Sequence, residues 1–372
     1  MAYLDNAATT PMRPEAVEAM LPFLTERFGN PSGSHRVSRD ARLALDEARE
    51  EMATALGAEP GQVVFTAGGT EADNLAVVGS HARAPGTVVC PAAEHHAVLH
   101  SCAAVGGRIV PVTPEGTVDL EALAAAIGTG TALVSVMLAN NEVGAVSPLA
   151  EVVDLVRELA PKALVHTDAV QAFPWLDVAG AAAGADLVAV SAHKFGGPKG
   201  VGALVVRDRA RPRPILHGGG QERDRRSGTH NLAGIVAMAA AARLTVSERE
   251  ETVARVADLR DRLADGLLAA VPGAAETGSR KGKIAGNCHL SFPGVESEAL
   301  LVLLDEAGVC ASAGSACASG AMEPSHVLLA MGMPRDRAGS SVRLSLGATT
   351  TAAEVDHALA VVPEAVARLR RG

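Results

Sequence analysis

The chain has 372 residues, of which 48% are hydrophobic and 20% are charged, and it carries a formal net charge of −9. This length exceeds the usual size of a single hydrophobic core, so we expect one large domain and one smaller domain. The acidic balance argues against a general binder of nucleic acid or of acidic membranes, because such proteins usually present a basic surface.

The start of the chain, MAYLDNAATTPM, lacks the basic residues and the apolar run of a secretory signal. No apolar run reaches the roughly 18 residues that a membrane span needs. The five cysteines are widely spread and form no CxxC pair, so they predict neither a disulfide framework nor a metal site. We therefore expect a cytoplasmic protein that contacts neither a membrane nor nucleic acid directly.

Short β-branched runs alternate with alanine-rich helical stretches through the first two thirds of the chain. QVVFTAGG (62–69) predicts a strand that ends in a glycine turn, and TEADNLAVVGSHA predicts a helix that Thr70 caps. Further strands are predicted in GTVVCP, ALVSVML, ALVHTDAVQ, ADLVAVSAHK and GVGALVV. Continuous apolar strands separated by helices indicate an α/β fold whose mainly parallel sheet is sandwiched by helices.

The later part of the chain has a different pattern. RDRARPRPILHGGGQERDRRSGT (207–229) is basic and rich in glycine and proline, which predicts a solvated connecting loop for most of its arginines. Beyond residue 245, a charged helix is followed by NCHLSF, ESEALLVLLDEAG, SSVRLSLG and a last helix, which indicates a smaller α+β unit. We predict a large domain at 13–245 and a small domain formed by 1–12 and 246–372.

Polar side chains follow five of the predicted strands. Because ligands bind at the carboxyl ends of parallel strands, we expect these polar residues to form one site. They lie at 68–70, 94–96, 140–142, 168–171 and 191–194.

SAHKFGGPKG places Lys194 directly after an apolar strand, between a histidine and a glycine-rich turn. Most lysines are exposed charges, but an amine at the rim of a core has a lowered pKa and can form a Schiff base. Pyridoxal phosphate uses such a lysine, and it also needs a carboxylate for its pyridine nitrogen and donors for its phosphate. If Lys194 binds this cofactor, the sequence should also contain a carboxylate for the pyridine nitrogen and donors for the phosphate.

Candidates for both partners stand at strand ends. Asp168 ends ALVHTDAVQ and can supply the carboxylate. Gly69 and Thr70 begin a helix whose free N–H groups and positive end favour an anion, and Ser191 and His193 can add donors. Each of these residues alone also has an ordinary structural explanation, as a cap, a turn or a core residue. Their joint occurrence favours a cofactor site.

CASAGSACASG (310–320) carries two cysteines in a stretch with few side chains to pack. A free cysteine is more often an inert small hydrophobe than a reactive thiol. The local sequence alone leaves both interpretations open for Cys310 and Cys317.

Ten longer motifs occur in order along the chain: YLDNAATTP, FGNPSGSH, GGTEADNLA, EHHAV, NNEVG, HTDAVQ, SAHKFGGPKG, HGGGQERDRRSGT, GSAC and RLSLG. Through these motifs the chain resembles the cysteine desulfurases over essentially its full length. The resemblance is to group I, the nitrogen-fixation and iron–sulfur-cluster type, within the class V aminotransferase family of pyridoxal-phosphate enzymes, which have aminotransferase fold type I.

The resemblance implies roles for residues around the cofactor. Lys194 would bind it covalently and move protons, Asp168 would pair with the pyridine nitrogen, and Gln171 would bond the ring oxygen. His95 would stack on the ring and assist proton transfer, as a third catalytic residue beside Lys194 and Cys317. Asn141 would lie beside both cofactor and substrate.

The resemblance also implies how the phosphate is bound. Thr70, Ser191 and His193 would hold it together with the backbone at Gly69. Thr229 would reach it from a second subunit, which implies a homodimer.

The implied reaction converts L-cysteine into L-alanine. Arg343 and Asn141 would hold the substrate, with Asn30 nearby, and Cys317 would take its sulfur as a persulfide. A sulfur-acceptor protein for iron–sulfur cluster assembly or thiolation would then receive it. Either His95 or the substrate's own chemistry would activate the thiol of Cys317, and the sequence does not decide between them.

Two kinds of alternative function remain: other enzymes of the same fold, and a protein that carries sulfur without catalysis. A selenocysteine lyase, another β-lyase or an aminotransferase would keep the cofactor, but a transaminase has no need of Cys317. A sulfur-relay scaffold without turnover has no need of Lys194 or Asp168. For Cys310, a buried inert thiol is favoured over a second sulfur relay.

Overall fold

The computed structural model describes residues 1–314 and 324–371. Its strands are β1 (Ala2–Tyr3), β2 (Val63–Thr66), β3 (Thr87–Pro91), β4 (Arg108–Val110), β5 (Thr131–Ser135), β6 (Leu164–Asp168), β7 (Leu187–Ser191), β8 (Gly202–Val206), β9 (Ala275–Glu276), β10 (Asn287–Ser291), β11 (Val309–Cys310) and β12 (Ser341–Ser345).

The helices are α1 (Pro14–Thr25), α2 (Arg36–Leu56), α3 (Gly69–Arg83), α4 (His96–Ala104), α5 (Leu120–Ala126), α6 (Leu149–Leu159), α7 (Val178–Ala181), α8 (Gln221–Asp224), α9 (Leu232–Ala270), α10 (Ser297–Glu306), α11 (His326–Ala330), α12 (Arg335–Ala338) and α13 (Ala352–Leu369). Short 3₁₀ turns occupy Pro60–Gln62, Ala192–Lys194 and Arg280–Gly282. Within the described residues, none of the helices combines the length and the apolar character that crossing a membrane requires.

A seven-stranded sheet in the order β2-β8-β7-β6-β5-β3-β4 forms the centre of the fold. The neighbours from β7 to β4 pair in parallel, whereas β8 runs antiparallel to both β7 and β2. Because β8 alone is reversed, β2 runs in the same direction as β7, and the carboxyl ends of six strands share one edge. The mainly parallel α/β sheet predicted from the apolar runs is confirmed.

Two large apolar clusters include different parts of the long helix α9. One surrounds the seven-stranded sheet and includes Leu232 and Ala242 from the start of α9. The other packs around β10, β12 and α13 and includes Val256 and Leu267 from the end of α9, together with Leu4 near the N-terminus. The predicted domain boundary at residue 245 falls inside this continuous helix, so the division into domains stays a prediction.

The N-terminal segment connects these two clusters. β1 pairs in parallel with β11, and the N–H of Ser345 donates to the carbonyl of Leu4 at 2.6 Å. Farther along, the N–H of Thr10 donates to the carbonyl of His193, directly after β7. Residues 5–9 therefore cross the edge of the large sheet.

The segment before α9, which includes the short element α8 with its non-helical backbone at Glu222 and Arg223, contains a buried ion pair, although the sequence predicted mainly solvated charge there. Glu222 is 7% exposed and accepts hydrogen bonds from Arg49 at 2.6 and 2.7 Å, from the N–H of Phe65 and from His230. Burial acts to raise the pKa of Glu222, but the hydrogen bonds and the charge of Arg49 outweigh burial and lower this pKa to about 2.

These contacts hold a strained backbone. Glu222, Arg223 and Asp224 have φ values of 50°, 58° and 62°. Left-handed conformations cost roughly 1–2 kcal/mol for each residue that has a Cβ. The contacts of Glu222 with α2 and β2 therefore stabilise a loop conformation that local sequence preferences oppose.

Replacing Arg49 by alanine is expected to lower the free energy of unfolding by about 3–5 kcal/mol, because the buried carboxylate of Glu222 would lose its cation. The matched control is Arg42→Ala, on the same helix, which removes an exposed pair with Asp46 and is expected to cost less than about 1 kcal/mol. Urea unfolding at equal protein concentration measures both changes. Equal losses in the two variants would contradict the prediction.

Candidate active site

A cavity of about 280 Å³ opens at the carboxyl edge of the large sheet. Polar residues that follow five strands of the large sheet, together with one from β12, line it, which brings together most of the residues that the sequence singled out. Those residues are Gly69, Thr70, His95, Asn141, Asp168, Gln171, Ser191, His193, Lys194 and Arg343.

Asp168 supplies a buried carboxyl group at the end of β6. It is 4% exposed, and its Oδ1 accepts a hydrogen bond from the N–H of Val170 at 2.8 Å. Burial raises the pKa of Asp168 to about 6, although the Val170 N–H and the charge of Lys194 act to lower it. The group is therefore an anion above neutral pH, in surroundings that disfavour its charge.

Lys194 lies in the 3₁₀ turn after β7, and the N-terminal segment fixes its amine. Its Nζ donates to the carbonyl oxygens of Ala7 at 2.6 Å and Ala8 at 2.9 Å. Gln171 also donates to the carbonyl of Ala7, at 2.7 Å. The lysine and the glutamine are therefore positioned by one backbone turn.

The start of α3 forms a cradle next to β7. Gly68 has a φ of 155°, which favours glycine, and a Cβ on Gly69 would lie only 2.8 Å from Cγ2 of Val170. Two consecutive glycines therefore leave room beside Ser191 for a group bound at the helix N-terminus.

The predicted cap of α3 is wrong. The helix begins at Gly69, and its N-cap is Gly68, which has no side chain to form a cap hydrogen bond. Thr70 is therefore inside the first turn and lines the cavity instead.

The two histidines of the site are neutral at pH 7. Burial, and secondarily the charge of Lys194, lower the pKa of His95 and of His193 to about 4. His95 is the N-cap of α4, and its Nδ1 accepts from the N–H of Ala97 at 3.2 Å, so the ring proton is on Nε2. Nδ1 of His193 is 3.2 Å from the hydroxyl of Thr9.

Arg343 enters the cavity from β12. Its Nη1 donates to the carbonyl of Asn141 and its Nη2 donates to Asp5, both at 2.8 Å. Nε of Arg343 and Oδ1 of Asn141 are buried without hydrogen-bond partners among the described residues. Because buried polar groups are normally paired, these two atoms indicate a polar ligand at this end of the cavity.

Three predicted site residues are not part of this lining. Asn30 is exposed, and its Oδ1 accepts from the N–H of Ser32, while Thr229 is exposed in the single chain. Cys317 lies outside the described residues. The roles assigned to these three residues stay predictions.

The cavity also contains residues that the sequence motifs did not single out. Asp73, inside the motif GGTEADNLA, lines the cavity from α3 and is 1% exposed. Its position one helical turn after the glycine cradle could have indicated that Asp73 lies in the site. The carbonyl groups of Ala7 and Ala8 also belong to the site, but backbone groups carry no signal in the sequence.

Comparison with known proteins agrees with this geometry. Residues 2–358 match the family model Aminotransferase class-V. The chain is 44% identical to cysteine desulfurase IscS of Methanosarcina thermophila, over 99% of this chain and 92% of that protein. It is 47% identical to the IscS-like cysteine desulfurase of Mycobacterium tuberculosis, over 100% of this chain and 98% of that protein.

A solved structure described as a NifS-like protein superposes with a TM-score of 0.93 at 35% identity, covering 99% of this chain and all of that one. The fold and the site thus define a class-V aminotransferase. Within that class, the chain belongs to the cysteine desulfurase family, as the sequence motifs predicted.

Asp168→Asn is expected to stabilise the cofactor-free chain by about 2–3 kcal/mol at pH 8. The folded-state pKa of this carboxyl is raised, so its contribution to stability is complete below about pH 4 and is lost as the pH rises through about 6. The gain should therefore shrink toward pH 4. Urea unfolding across this pH range tests it, with the exposed Asp258→Asn as control; a loss of stability at every pH would contradict it.

Proposed function

We propose that this protein is a pyridoxal-phosphate-dependent cysteine desulfurase that converts L-cysteine into L-alanine and stores the sulfur on Cys317. Class-V aminotransferases and cysteine desulfurases are pyridoxal-phosphate enzymes. The observation that carries the proposal is one cavity that combines Lys194 and Asp168 with Asn141 and Arg343.

The residues of the cavity fit this cofactor. The buried carboxyl of Asp168 suits a protonated pyridine nitrogen, and Gln171 offers an amide beside Lys194. The glycine cradle at Gly68 and Gly69 leaves space for a phosphate at a helix N-terminus. When bound, the cofactor supplies an electron sink that acidifies the substrate's Cα–H and activates its sulfur.

Arg343 and Asn141 fit the substrate's carboxylate. Asp5 and the carbonyl of Asn141 hold the guanidinium in one orientation, while Nε keeps a donor that has no partner in the described chain. A charge-assisted hydrogen bond to a carboxylate would satisfy this donor. Such a contact selects an amino acid substrate.

Two side chains of the cavity, Lys194 and His95, can take part in proton transfer. The amine of Lys194 would take the Cα proton of the substrate and return a proton to the product. His95 is neutral and presents its Nε2–H, so it can donate a hydrogen bond directly, whereas acting as a base through Nε2 requires its other tautomer.

The sulfur step balances without an external oxidant. The thiolate of Cys317 attacks the substrate's sulfur, the Cβ–S bond breaks, and its electron pair is protonated to give the methyl group of alanine. The enzyme is left with a persulfide, which a sulfur-acceptor protein for iron–sulfur cluster assembly or thiolation would take. We also propose a cytoplasmic homodimer in which Thr229 completes the partner's phosphate site.

Lys194→Ala should abolish alanine formation, because the chain would lose both the covalent anchor and the proton carrier. Cys317→Ala should bind the cofactor and L-cysteine normally but release no sulfide in the presence of dithiothreitol. Alanine and sulfide assays, together with the visible spectrum, measure both effects. The control is Cys310→Ala in β11, which should keep the wild-type rate; normal sulfide release by Cys317→Ala would refute the proposal.

His95→Asn separates the imidazole from its capping role. Asparagine is a good N-cap, so the variant should keep the thermal midpoint while kcat falls by about 100-fold or more. Steady-state kinetics and thermal unfolding measure the two quantities, and His357→Asn, a half-buried histidine on α13, serves as control. An unchanged kcat would remove His95 from the mechanism.

A further inference from the structure

Three buried carboxyl groups lie at or near the cavity wall, although the proposed function uses only one of them. Asp73, Glu94 and Asp168 are 1%, 0% and 4% exposed. They come from α3, from the loop after β3 and from the end of β6. A buried acidic trio of this kind must distribute protons, because buried like charges disfavour one another's ionisation.

Asp73 and Asp168 lie close together in the structure. One carboxyl oxygen of each, together with a ring nitrogen of His95, lie within 4.8 Å of one another. Oδ1 of Asp73 is also 3.5 Å from Nε2 of His166, whose Nδ1 is 2.8 Å from the hydroxyl of Ser135. Asp73 thus faces titratable groups on β6 and in the loop before α4.

Among the described residues, little positive charge acts on this pair. His95 and His166 are neutral, because burial lowers their pKa values to about 4 and about 3. Lys194 is the cation whose charge acts on Asp168. One cation can balance one carboxylate of the pair, so the other should carry a proton.

The contacts favour Asp168 as the anion. Its Oδ1 accepts from the N–H of Val170, and the charge of Lys194 acts on it. Oδ1 of Asp73 has no hydrogen-bond partner among the described residues. Burial and the nearby carboxyl groups of Asp168 and Glu94 raise the pKa of Asp73 well above its usual value.

Glu94 is the third group, and it is also expected to be neutral. Its Oε1 accepts from the N–H of Met137 at 2.5 Å, while its Oε2 has no partner in the described part of the chain. Burial raises the pKa of Glu94 well above its usual value. It therefore adds no second anion that could compete for Lys194.

We propose that Asp73 is a positioning residue that stays protonated and thereby confines the negative charge of the pair to Asp168. This proposal rests on the proposed function, in which Asp168 meets the pyridine nitrogen. An ionised Asp73 would raise the proton affinity of Asp168 and draw the proton away from the ring. A neutral Asp73 avoids this.

Infrared spectroscopy of the full-length protein tests the protonation state directly. The spectrum is recorded at pH 8 with EDTA, both as purified and after removal of the cofactor, with natural and ¹³C-carboxyl-labelled aspartate. The expected result is a C=O stretching band of a protonated acid that shifts on aspartate labelling, since Asp168, with a pKa of about 6, is ionised at this pH. The absence of such a band in either sample overturns the proposal.

Variants assign the band and separate the charge from the fold. Asp73→Asn should remove it, and Glu94→Gln should leave it in place; persistence of the band in Asp73→Asn overturns the assignment. The labelled wild-type spectrum remains decisive if Asp73→Asn does not fold. Because the cofactor-free spectrum needs no turnover, a protein without desulfurase activity would refute the proposed function and leave this result standing.

The positioning role is tested by cofactor affinity. Asp73→Asn mimics the protonated acid, so its Kd for pyridoxal phosphate should stay within about threefold of wild type, whereas Asp168→Asn should weaken binding at least tenfold. Fluorescence titration of the cofactor-free proteins measures both constants. A loss in Asp73→Asn as large as that in Asp168→Asn would show that Asp73 acts as an anion and overturn the proposal.

Discussion

Parallel pairing of β5, β6 and β7 is the constraint on which the site depends. It puts the ends of these strands at one edge of the sheet, so Asp168 and the turn that carries Lys194 face the same cavity. The paired strands, with α3 packed against β6 and β7, also leave Asp168 only 4% exposed. Positioning and desolvation therefore have one cause, and the raised pKa of Asp168 is a consequence of the topology.

The N-terminal segment joins that edge to the smaller apolar cluster. Its carbonyl groups hold Lys194 and Gln171, and Asp5 holds Arg343, so one turn of backbone touches both the Lys194 end and the Arg343 end of the cavity. The two ends are thus positioned against a common reference. This explains physically why a short segment near Met1 contributes to a site built mainly on the large sheet.

Much of this could be predicted from the sequence. Apolar runs that end in polar residues predicted the parallel sheet and the strand-end positions of Asp168, Ser191 and Lys194, because strand direction alone brings such ends together. Backbone contributions could not be predicted, since the carbonyl groups of Ala7 and Ala8 carry no residue-specific signal. The burial of Glu222 could not be predicted from its polar neighbours, because its partner Arg49 lies 173 positions away in the chain.

The continuity of α9 has a consequence for how the chain can vary. At about 1.5 Å per residue, its 39 residues form a rod of about 58 Å, with the first apolar cluster on one part and the second on another. Inserting one residue between Ala242 and Val256 would turn every later side chain by about 100° around the rod and misalign the second cluster. An insertion or deletion in this stretch therefore keeps the apolar faces of both cores in rotational alignment only when its length is close to a whole number of helical turns.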